Sequence, residues 1–165
     1  MLSPVFEMPA TGPGRLFIGP HPRPDDLAGS LAEWRADGMD VVLSLLDGEE
    51  ARMLGLAEEA HESRAAGLRF LAHPVTDFAV PPVAELDRIV QLVLGHMAAG
   101  RTVMVHCRAG IGRSGMTACG VLIRQGLEPA MAIAQVSAAR GLAVPDTPEQ
   151  AALLHRYGAA VAPSD

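Results

Sequence analysis

One ten-residue stretch, His106 to Gly115, combines residue types that together can carry out nucleophilic chemistry on an anion. Cys107 directly follows the short, mostly apolar run 102–105, and Arg113 and Ser114 come six and seven residues later, where a helix is predicted to begin. A strand, a glycine-bearing loop and a helix N-terminus form a cradle whose backbone N–H groups and helix dipole attract negative charge. Such a cradle favours the thiolate form of its cysteine, because the thiolate is itself an anion.

The arginine of this loop indicates which anion the cradle is built for. Arg113 carries a planar guanidinium that can donate two parallel hydrogen bonds to two oxygens of a phosphate. The combination predicts a Cys107 thiolate that attacks a bound phosphoryl group. The backbone N–H groups that would bind the phosphate belong to Arg108, Ala109, Gly110, Ile111, Gly112 and Arg113.

The pattern around this stretch predicts strands that alternate with helices. We expect strands at 15–19, 41–46, 68–72 and 102–105, and helices at about 25–36, 49–66, 82–99, 113–125, 129–141 and 147–160. Alternation of this kind predicts a three-layer α/β/α fold with a mainly parallel central sheet of four to five strands. We expect a single domain over residues 1–165, with an irregular lead-in at 1–14 and a tail at 161–165.

The stretch 49–66 could form one helix or two. It carries a dense polar face, formed by Glu50, Glu58, Glu59, Glu62 and Arg64. Gly55 leaves open whether the stretch is one helix or two, because glycine weakens a helix interior.

A second reactive side chain follows the end of another predicted strand. Asp77 lies in the loop 73–82, directly after the strand at 68–72. Ligands in parallel sheets bind beyond the C-terminal ends of the strands. Since Cys107 also follows a strand end, we expect Asp77 and Cys107 to share one crevice.

Charge and composition exclude several classes of partner. The formal net charge is −6, and the thirteen basic residues form no clustered tract, which argues against nucleic acid or an anionic membrane as the main partner. No apolar run reaches the roughly 18 residues of a membrane span, and no secretory signal is present, so we expect a cytoplasmic protein. The sequence does not indicate an oligomeric state.

The cysteines and histidines do not indicate a metal site or a disulfide. Cys107 and Cys119 are twelve residues apart, a spacing that matches no zinc pattern. Along a regular helix they would be roughly 18 Å apart, whereas a disulfide needs Cα atoms within about 7 Å. We therefore expect no metal and no bridge, and interpret Cys119 as a buried core residue.

The motif H-C-x-x-G-x-G-R-S-G at residues 106–115 resembles the signature of the cysteine-dependent protein tyrosine phosphatase superfamily. More narrowly, the chain is similar to the small atypical, VH1-like dual-specificity phosphatases, from about Leu68 to Tyr157 and less firmly back to Leu16. The similarity includes Asp-Phe-x-x-Pro at 77–81, which matches the acid loop of that family. It implies a metal-free, cofactor-independent hydrolysis in two steps through a phosphocysteine.

The resemblance also implies a role for each residue at the site. Cys107 would be the nucleophile, Arg113 would hold the phosphate oxygens, and Asp77 would protonate the departing ester oxygen. Ser114 would donate a hydrogen bond to the sulfur as the thiolate leaves. His106 would order the loop backbone, although the sequence alone does not separate that role from the role of a base.

Two residues near the C-terminal end have open roles. Asp146 is either a helix or turn cap, or an acidic residue that assists the second step, as in some VH1-like enzymes. Gln150 either positions the attacking water or simply sits in the first helical turn, where Thr147 and Gln150 have the spacing of a capping box. Arg140 is interpreted as an anchor for the cysteine loop.

The predicted substrate is a phosphorylated protein or peptide. Among the variable loop positions only Arg108 adds positive charge, which disfavours heavily phosphorylated inositols. By analogy with the family, the pocket should admit phosphotyrosine and also phosphoserine or phosphothreonine, and Phe78 either stacks on an aromatic ring or anchors its loop. Two alternatives are a catalytically inactive phosphopeptide-binding module and a rhodanese-like sulfurtransferase. Loops of the latter commonly have four residues between cysteine and arginine, where this chain has five.

Overall fold

A five-stranded sheet lies at the centre of the computed structural model, which describes residues 4–162. The strands are β1 (Phe6–Glu7), β2 (Arg15–Gly19), β3 (Val41–Ser44), β4 (Arg69–Ala72) and β5 (Thr102–His106). They follow the order β1-β2-β5-β3-β4, in which β2, β5, β3 and β4 are parallel and β1 is antiparallel to β2. The predicted, mainly parallel α/β sheet is confirmed.

Helices cover both faces of the sheet. They are α1 (Leu27–Ala36), α2 (Gly48–Met53), α3 (Glu59–Ala65), α4 (Val83–Ala98), α5 (Arg113–Arg124), α6 (Pro129–Arg140) and α7 (Pro148–Val161). Side chains of β5 alternate between two cores. Val103 and Val105 join the large cluster formed with α4 to α7, whereas Met104 joins the smaller cluster on the side of α1. The three-layer arrangement follows from this alternation.

Two parts of the structure differ from the sequence-based expectation. The lead-in at 1–14, expected to be irregular, contains β1, because its backbone pairs with the otherwise free edge of β2. The stretch 49–66 forms two short helices, α2 and α3, separated around Gly55, whose φ of +78° favours glycine. Of the predicted tail, residues 163–165 lie outside the described residues.

Local capping explains where several helices begin and end. Asp26 and Asp47 accept backbone hydrogen bonds at the starts of α1 and α2, and Thr147 and Gln150 form the predicted capping box of α7. Gly141, with φ of +84°, ends α6 in the left-handed conformation. The caps at Gly141 and Thr147 fix the two ends of the loop between α6 and α7, which carries Asp146. Among residues 4–162, no helix is long and apolar enough to cross a membrane.

Candidate active site

Cys107 lies at the C-terminal edge of the sheet, one residue beyond β5. Its side chain is buried, and the backbone N–H of Gly110 donates to its Sγ at 3.3 Å. Gly110 has φ of +72°, and a Cβ at this position would lie 2.3 Å from the carbonyl carbon of Gly19. Only glycine lets the loop pack this closely against the end of β2, and this packing turns the N–H toward the sulfur.

Arg113, the first residue of α5, lies almost fully buried beside this cysteine. Its Nη1 and Nη2 donate to the two carboxylate oxygens of Glu50 at 2.7 and 2.9 Å, and Nη1 also donates to the carbonyl of Val75 at 2.8 Å. Nη2 is 3.3 Å from Oδ1 of Asp77. The buried Nε has no hydrogen-bond partner within residues 4–162. The guanidinium is therefore fixed in place with one N–H donor to spare.

The loop after β4 brings Asp77 to the same crevice. The Asp77 side chain is one-third exposed, and its Oδ1 accepts a hydrogen bond from the N–H of Phe78 at 3.1 Å. Phe78 is 60% exposed and has a φ of +58°, which is uncommon for a residue with a Cβ. The structure thus places Asp77 beside Arg113, and it turns Phe78 outward instead of into the core.

His106, the last residue of β5, directly precedes Cys107 and is fully buried. Both His106 and Glu59 are buried, and His106 Nε2 is 2.6 Å from Glu59 Oε2. The other ring nitrogen, Nδ1, is 3.2 Å from the carbonyl oxygen of Cys107. His106 therefore contacts the backbone where the loop begins, at Cys107.

Asp146 and Gln150 contact the loop from the start of α7. A Cβ on Gly112 would lie 2.6 Å from Asp146 Oδ2 and 3.2 Å from Gln150 Nε2. Gln150 is buried, and its Oε1 accepts from the N–H groups of Asp146 and Thr147 at 3.0 and 3.2 Å. Burial and the neighbouring charge of Asp77 raise the pKa of Asp146.

Two buried polar atoms next to the loop have no hydrogen-bond partner in the described part of the chain. They are Oγ of Ser114 and Nε2 of Gln150. Ser114 therefore makes no hydrogen bond to the sulfur of Cys107 in this arrangement. Unpaired buried donors of this kind call for an explanation, and a ligand or water in the cradle would provide one.

Arg140 binds the cysteine loop from its exposed side, where a cavity also adjoins the loop. Arg140 donates from Nε to the carbonyl of Gly110 at 2.8 Å and from Nη2 to that of Ala109 at 3.1 Å, and its guanidinium lies 4.1 Å from the ring centre of Phe6. Arg108 and Ala109 are exposed, and Ile111 is partly buried. An adjoining cavity of about 360 Å³ is lined by Asp47, Glu49, Glu50, Met53, Leu54, Thr76, Asp77 and Arg108.

Sequence reasoning missed two residues that hold the site. Glu50 and Glu59 were interpreted as part of a polar face, but Glu50 binds Arg113 and Glu59 binds His106. For Glu50 a usable signal existed: like Asp77, it closely follows the C-terminal end of a parallel strand, here β3. For Glu59 we find no such signal.

The described residues contain no cluster of metal-ligating side chains and no disulfide. Within residues 4–162, no group of three or more histidine, cysteine, aspartate or glutamate side chains could hold a metal ion. Cys107 and Cys119 are both free, and burial raises the pKa of Cys119 to about 12.

Comparison with known proteins gives a family and a set of related structures. The family described as "Tc-R-P: Polymorphic toxin system, DSP-PTPase phosphatase" matches residues 22–127 of the 165. A 42-residue segment is 40% identical to the uncharacterised protein MJECL20 of Methanocaldococcus jannaschii, which covers 26% of this chain and only 29% of that protein.

Solved phosphatase structures share the fold over most of the chain. Kinase associated phosphatase, in a form with its catalytic-site cysteine substituted by serine, superposes with a TM-score of 0.88 at 17% identity, covering 98% of this chain and 97% of that one. Tk-PTP in its active form gives 0.75 at 28% identity, covering 88% and 92%. PTPMT1 in complex with PI(5)P gives 0.74 at 24% identity, covering 88% and 91%.

Proposed function

The chain belongs to the DSP-PTPase phosphatase family of polymorphic toxin systems, and we propose that it hydrolyses phosphate monoesters on a protein or peptide through a phosphocysteine. One observation carries the proposal. Among the described residues, the buried Nε of Arg113 has no hydrogen-bond partner, and the guanidinium lies close enough to Cys107 for a charged cysteine to contribute to its raised pKa. An unpaired buried arginine donor, next to a thiol whose sulfur accepts a backbone N–H of its own loop, suits a phosphate ester.

In the first step the sulfur of Cys107 attacks phosphorus, so that an S–P bond forms as the ester P–O bond breaks. Arg113 and the N–H groups of residues 108–113 hold the oxygens on which charge is redistributed. The leaving oxygen takes a proton from Asp77, since an unprotonated phenolate or alkoxide leaves poorly.

The contact between Asp77 and Arg113 suggests how substrate binding prepares this acid. Nη2 of Arg113 is shared between Glu50 and Asp77, and the contact to Asp77, at 3.3 Å, is the longer of the two. A phosphate that takes Nε and Nη2 would displace Asp77 from the cation. Its carboxyl is then free to face the leaving oxygen, to which it donates a proton in the first step.

In the second step water attacks the phosphocysteine, and the S–P bond breaks to release phosphate and the thiolate. Asp146 is proposed to accept the proton of the water, because its raised pKa makes it a stronger base than an ordinary aspartate. Gln150 is proposed to orient that water through its unpaired Nε2. Ser114 would donate its unpaired hydroxyl to the sulfur as negative charge returns to it.

The entrance to the site supports a substrate with a single phosphate. Its rim carries the acidic side chains of Asp47, Glu49 and Asp77 but only one cation, that of Arg108. A rim of this charge disfavours polyphosphorylated inositols and anionic lipid surfaces. The exposed ring of Phe78 is available to stack on a phosphotyrosine. The family description also leads us to propose a polymorphic toxin system as the setting.

The test is hydrolysis of a phosphotyrosine peptide in the presence of a chelator. We expect Cys107→Ser to lower kcat by on the order of 10³-fold or more, and Asp77→Asn by about 10²-fold. Rapid acid quenching with ³²P-labelled peptide should leave label on the wild-type protein and none on Cys107→Ser. PI(5)P, the ligand of the PTPMT1 structure, serves as a comparison substrate and should give a lower kcat/KM than the peptide.

The control variants are Cys119→Ala, the second buried cysteine, and Asp37→Asn, an exposed aspartate at the end of α1. Both should keep wild-type activity. Tight binding of the peptide without turnover would identify an inactive binding module and overturn the proposal. Full activity in Cys107→Ser would rule out the phosphocysteine.

A further inference from the structure

The N-terminal segment 4–8 lies against the elements that hold the cysteine loop. Phe6 belongs to β1, which pairs with the edge of β2. At the end of β2, a Cβ on Gly19 would lie 2.5 Å from the carbonyl oxygen of Pro4. The same Gly19 is the residue against which Gly110 of the cysteine loop packs. The end of β2 is therefore in contact with the N-terminal segment on one side and with the loop on the other.

The side chain of Phe6 contacts Arg140, which binds the loop. The guanidinium of Arg140 lies 4.1 Å from the centre of the Phe6 ring, a distance at which a ring face attracts a cation. Arg140 is half-buried, and burial lowers its pKa, so this cation is partly removed from water. Within residues 4–162, no carboxylate forms an ion pair with it. The Phe6 ring and two loop carbonyls are therefore the groups that hold this guanidinium.

Those two carbonyls determine the direction of two backbone N–H groups. Arg140 donates from Nη2 to the carbonyl of Ala109 and from Nε to that of Gly110. The peptide bonds that follow both carbonyls are trans, and in a trans peptide the C=O and N–H groups point in opposite directions. The N–H groups of Gly110 and Ile111 therefore point away from Arg140. For Gly110 the contact confirms this direction, since its N–H donates to Sγ of Cys107.

We propose that Phe6 is a positioning residue for the phosphate site: its ring holds the guanidinium of Arg140, which in turn directs the N–H groups of Gly110 and Ile111 toward the bound phosphate. Both N–H groups belong to the residues that the proposed function assigns to phosphate binding, and the inference rests on that function in this respect. A donor that is directed in advance stabilises developing charge without reorganisation. An aromatic side chain on a two-residue strand should therefore contribute to kcat/KM.

The experiment compares exchanges of Phe6 in the full chain, with the phosphotyrosine peptide as substrate. Phe6→Leu keeps an apolar side chain but has no ring face, and we expect kcat/KM to fall about threefold. Phe6→Tyr keeps the ring face and should retain the wild-type value. In an Arg140→Met background, Phe6→Leu should cause no further loss, because Phe6 acts through Arg140.

The matched control is Phe17→Leu. Phe17 is also half-buried and has an arginine over its ring, with the guanidinium of Arg15 at 5.1 Å, but it packs against the smaller core cluster on the other face of the sheet. Phe17→Leu should leave kcat/KM unchanged even where it lowers the free energy of unfolding in urea. Wild-type kcat/KM in Phe6→Leu, an equal loss in Phe17→Leu, or a full further loss in the Arg140→Met background would overturn the proposal.

A folding defect in Phe6→Leu would not leave the question open. Pentafluorophenylalanine at position 6 has nearly the size of phenylalanine, but its ring face no longer attracts a cation. This variant should show the same loss of about threefold in kcat/KM. Wild-type kcat/KM in a folded chain that carries it would refute the role of the ring.

Two measurements need no turnover and so separate this proposal from the proposed function. Hydrogen exchange of the Gly110 amide, followed by NMR without ligand, should be about threefold faster in Phe6→Leu and unchanged in Phe17→Leu. The Kd for inorganic phosphate should rise by about the same factor. Both changes in a chain that hydrolyses no phosphate ester would contradict the proposed function alone. Wild-type exchange and phosphate affinity in a Phe6→Leu chain, with hydrolysis intact, would contradict this proposal alone.

Discussion

Two regions contact each other at the candidate site, the cysteine loop with α5 and the acidic segment 47–65. Their contacts are the pairs Glu50–Arg113 and Glu59–His106, yet the first region is buried and the second is largely exposed. Every residue of α5 from 113 to 123 is buried, so this helix is part of the core. In the acidic segment, α2 has no buried residue and α3 buries only Glu59 and Ser63. The first region supplies Cys107 and Arg113, the proposed reacting groups, from the interior, and the second contacts the site from the surface with two carboxylates.

This difference teaches how the site divides its tasks. Helices of six and seven residues are not stable alone in water, so α2 and α3 depend on what they dock against. Their buried attachments include the pairs Glu50–Arg113 and Glu59–His106. The core fixes where Cys107 lies, whereas the surface segment places two carboxylates against Arg113 and His106. Substitutions in the two regions should therefore differ in size and in kind.

The largest effect should come from the interior region. Arg113→Lys keeps a positive charge but loses the planar guanidinium. It therefore loses both the two-pronged contact with Glu50 and the unpaired Nε donor. We expect kcat/KM on the phosphotyrosine peptide to fall by on the order of 10³-fold, as when a preorganised donor to the developing charge is removed. Circular dichroism should show a folded chain. Activity within tenfold of wild type would mean that the guanidinium fork does not hold the phosphate.

A smaller effect should follow from the surface region. Glu50→Gln removes the charge that fixes Arg113 while leaving the carbonyl of Val75 as a partner. We expect kcat/KM to fall roughly 10- to 100-fold through misplacement of the guanidinium. The free energy of unfolding should fall by about 1–3 kcal/mol, less than for a fully buried pair because the Glu50 side chain is 12% exposed.

The matched control for this prediction is Glu49→Gln, the exposed neighbour on the same helix. It should leave urea-induced unfolding unchanged and should lower kcat/KM far less than Glu50→Gln does, because Glu49 lines the entrance whereas Glu50 binds Arg113. Equal losses in the Glu49 and Glu50 variants would show that the effect comes from net charge at the rim and not from the ion pair.

The comparison also explains how much the sequence could predict. The residues of the cysteine loop are neighbours in the chain and in space, so their spacing carries the geometry. Asp77 could be predicted because it follows a strand end. Glu50 and Glu59 reach partners 63 and 47 positions away. An acidic residue on a short helix gives the same pattern whether it faces water or a buried cation, so Glu59 could not be identified.

A still smaller effect on kcat/KM is expected at Arg140, which binds two carbonyls of the cysteine loop. Arg140→Lys keeps the positive charge but replaces the planar guanidinium, whose Nε and Nη2 each bind one carbonyl, with a single ammonium nitrogen, and it reduces the contact with Phe6. Loss of one hydrogen bond of about 1 kcal/mol corresponds to about fivefold in kcat/KM. Steady-state kinetics with the phosphotyrosine peptide measure it. A loss as large as that of Arg113→Lys would place Arg140 among the groups that touch substrate.

The smallest expected effect, and the one of opposite sign, concerns the stability contributed by Asp146. Burial and repulsion from Asp77 raise the pKa of this carboxyl above its ordinary value of 3.8. The folded chain thus binds the proton more tightly than the unfolded chain. The resulting stability is fully present below pH 3.8 and is lost as the pH rises through the raised pKa. At neutral pH the ionised carboxylate therefore destabilises the fold.

Asp146→Asn should consequently be more stable than wild type at pH 7, and this advantage should vanish well below pH 3.8, where the wild-type carboxyl is protonated in both the folded and the unfolded chain. Urea unfolding at both pH values measures the difference.

Glu50→Gln, also a carboxylate-to-amide exchange beside Arg113, should lower stability at pH 7 because it removes one partner of an ion pair. If Asp146→Asn were instead less stable at pH 7, Asp146 would have to be held mainly by Arg113 and the N–H of Gly112, the two groups that oppose the shift. A more stable variant with slower release of phosphate from Cys107 would show that the destabilising carboxylate is present for the second step.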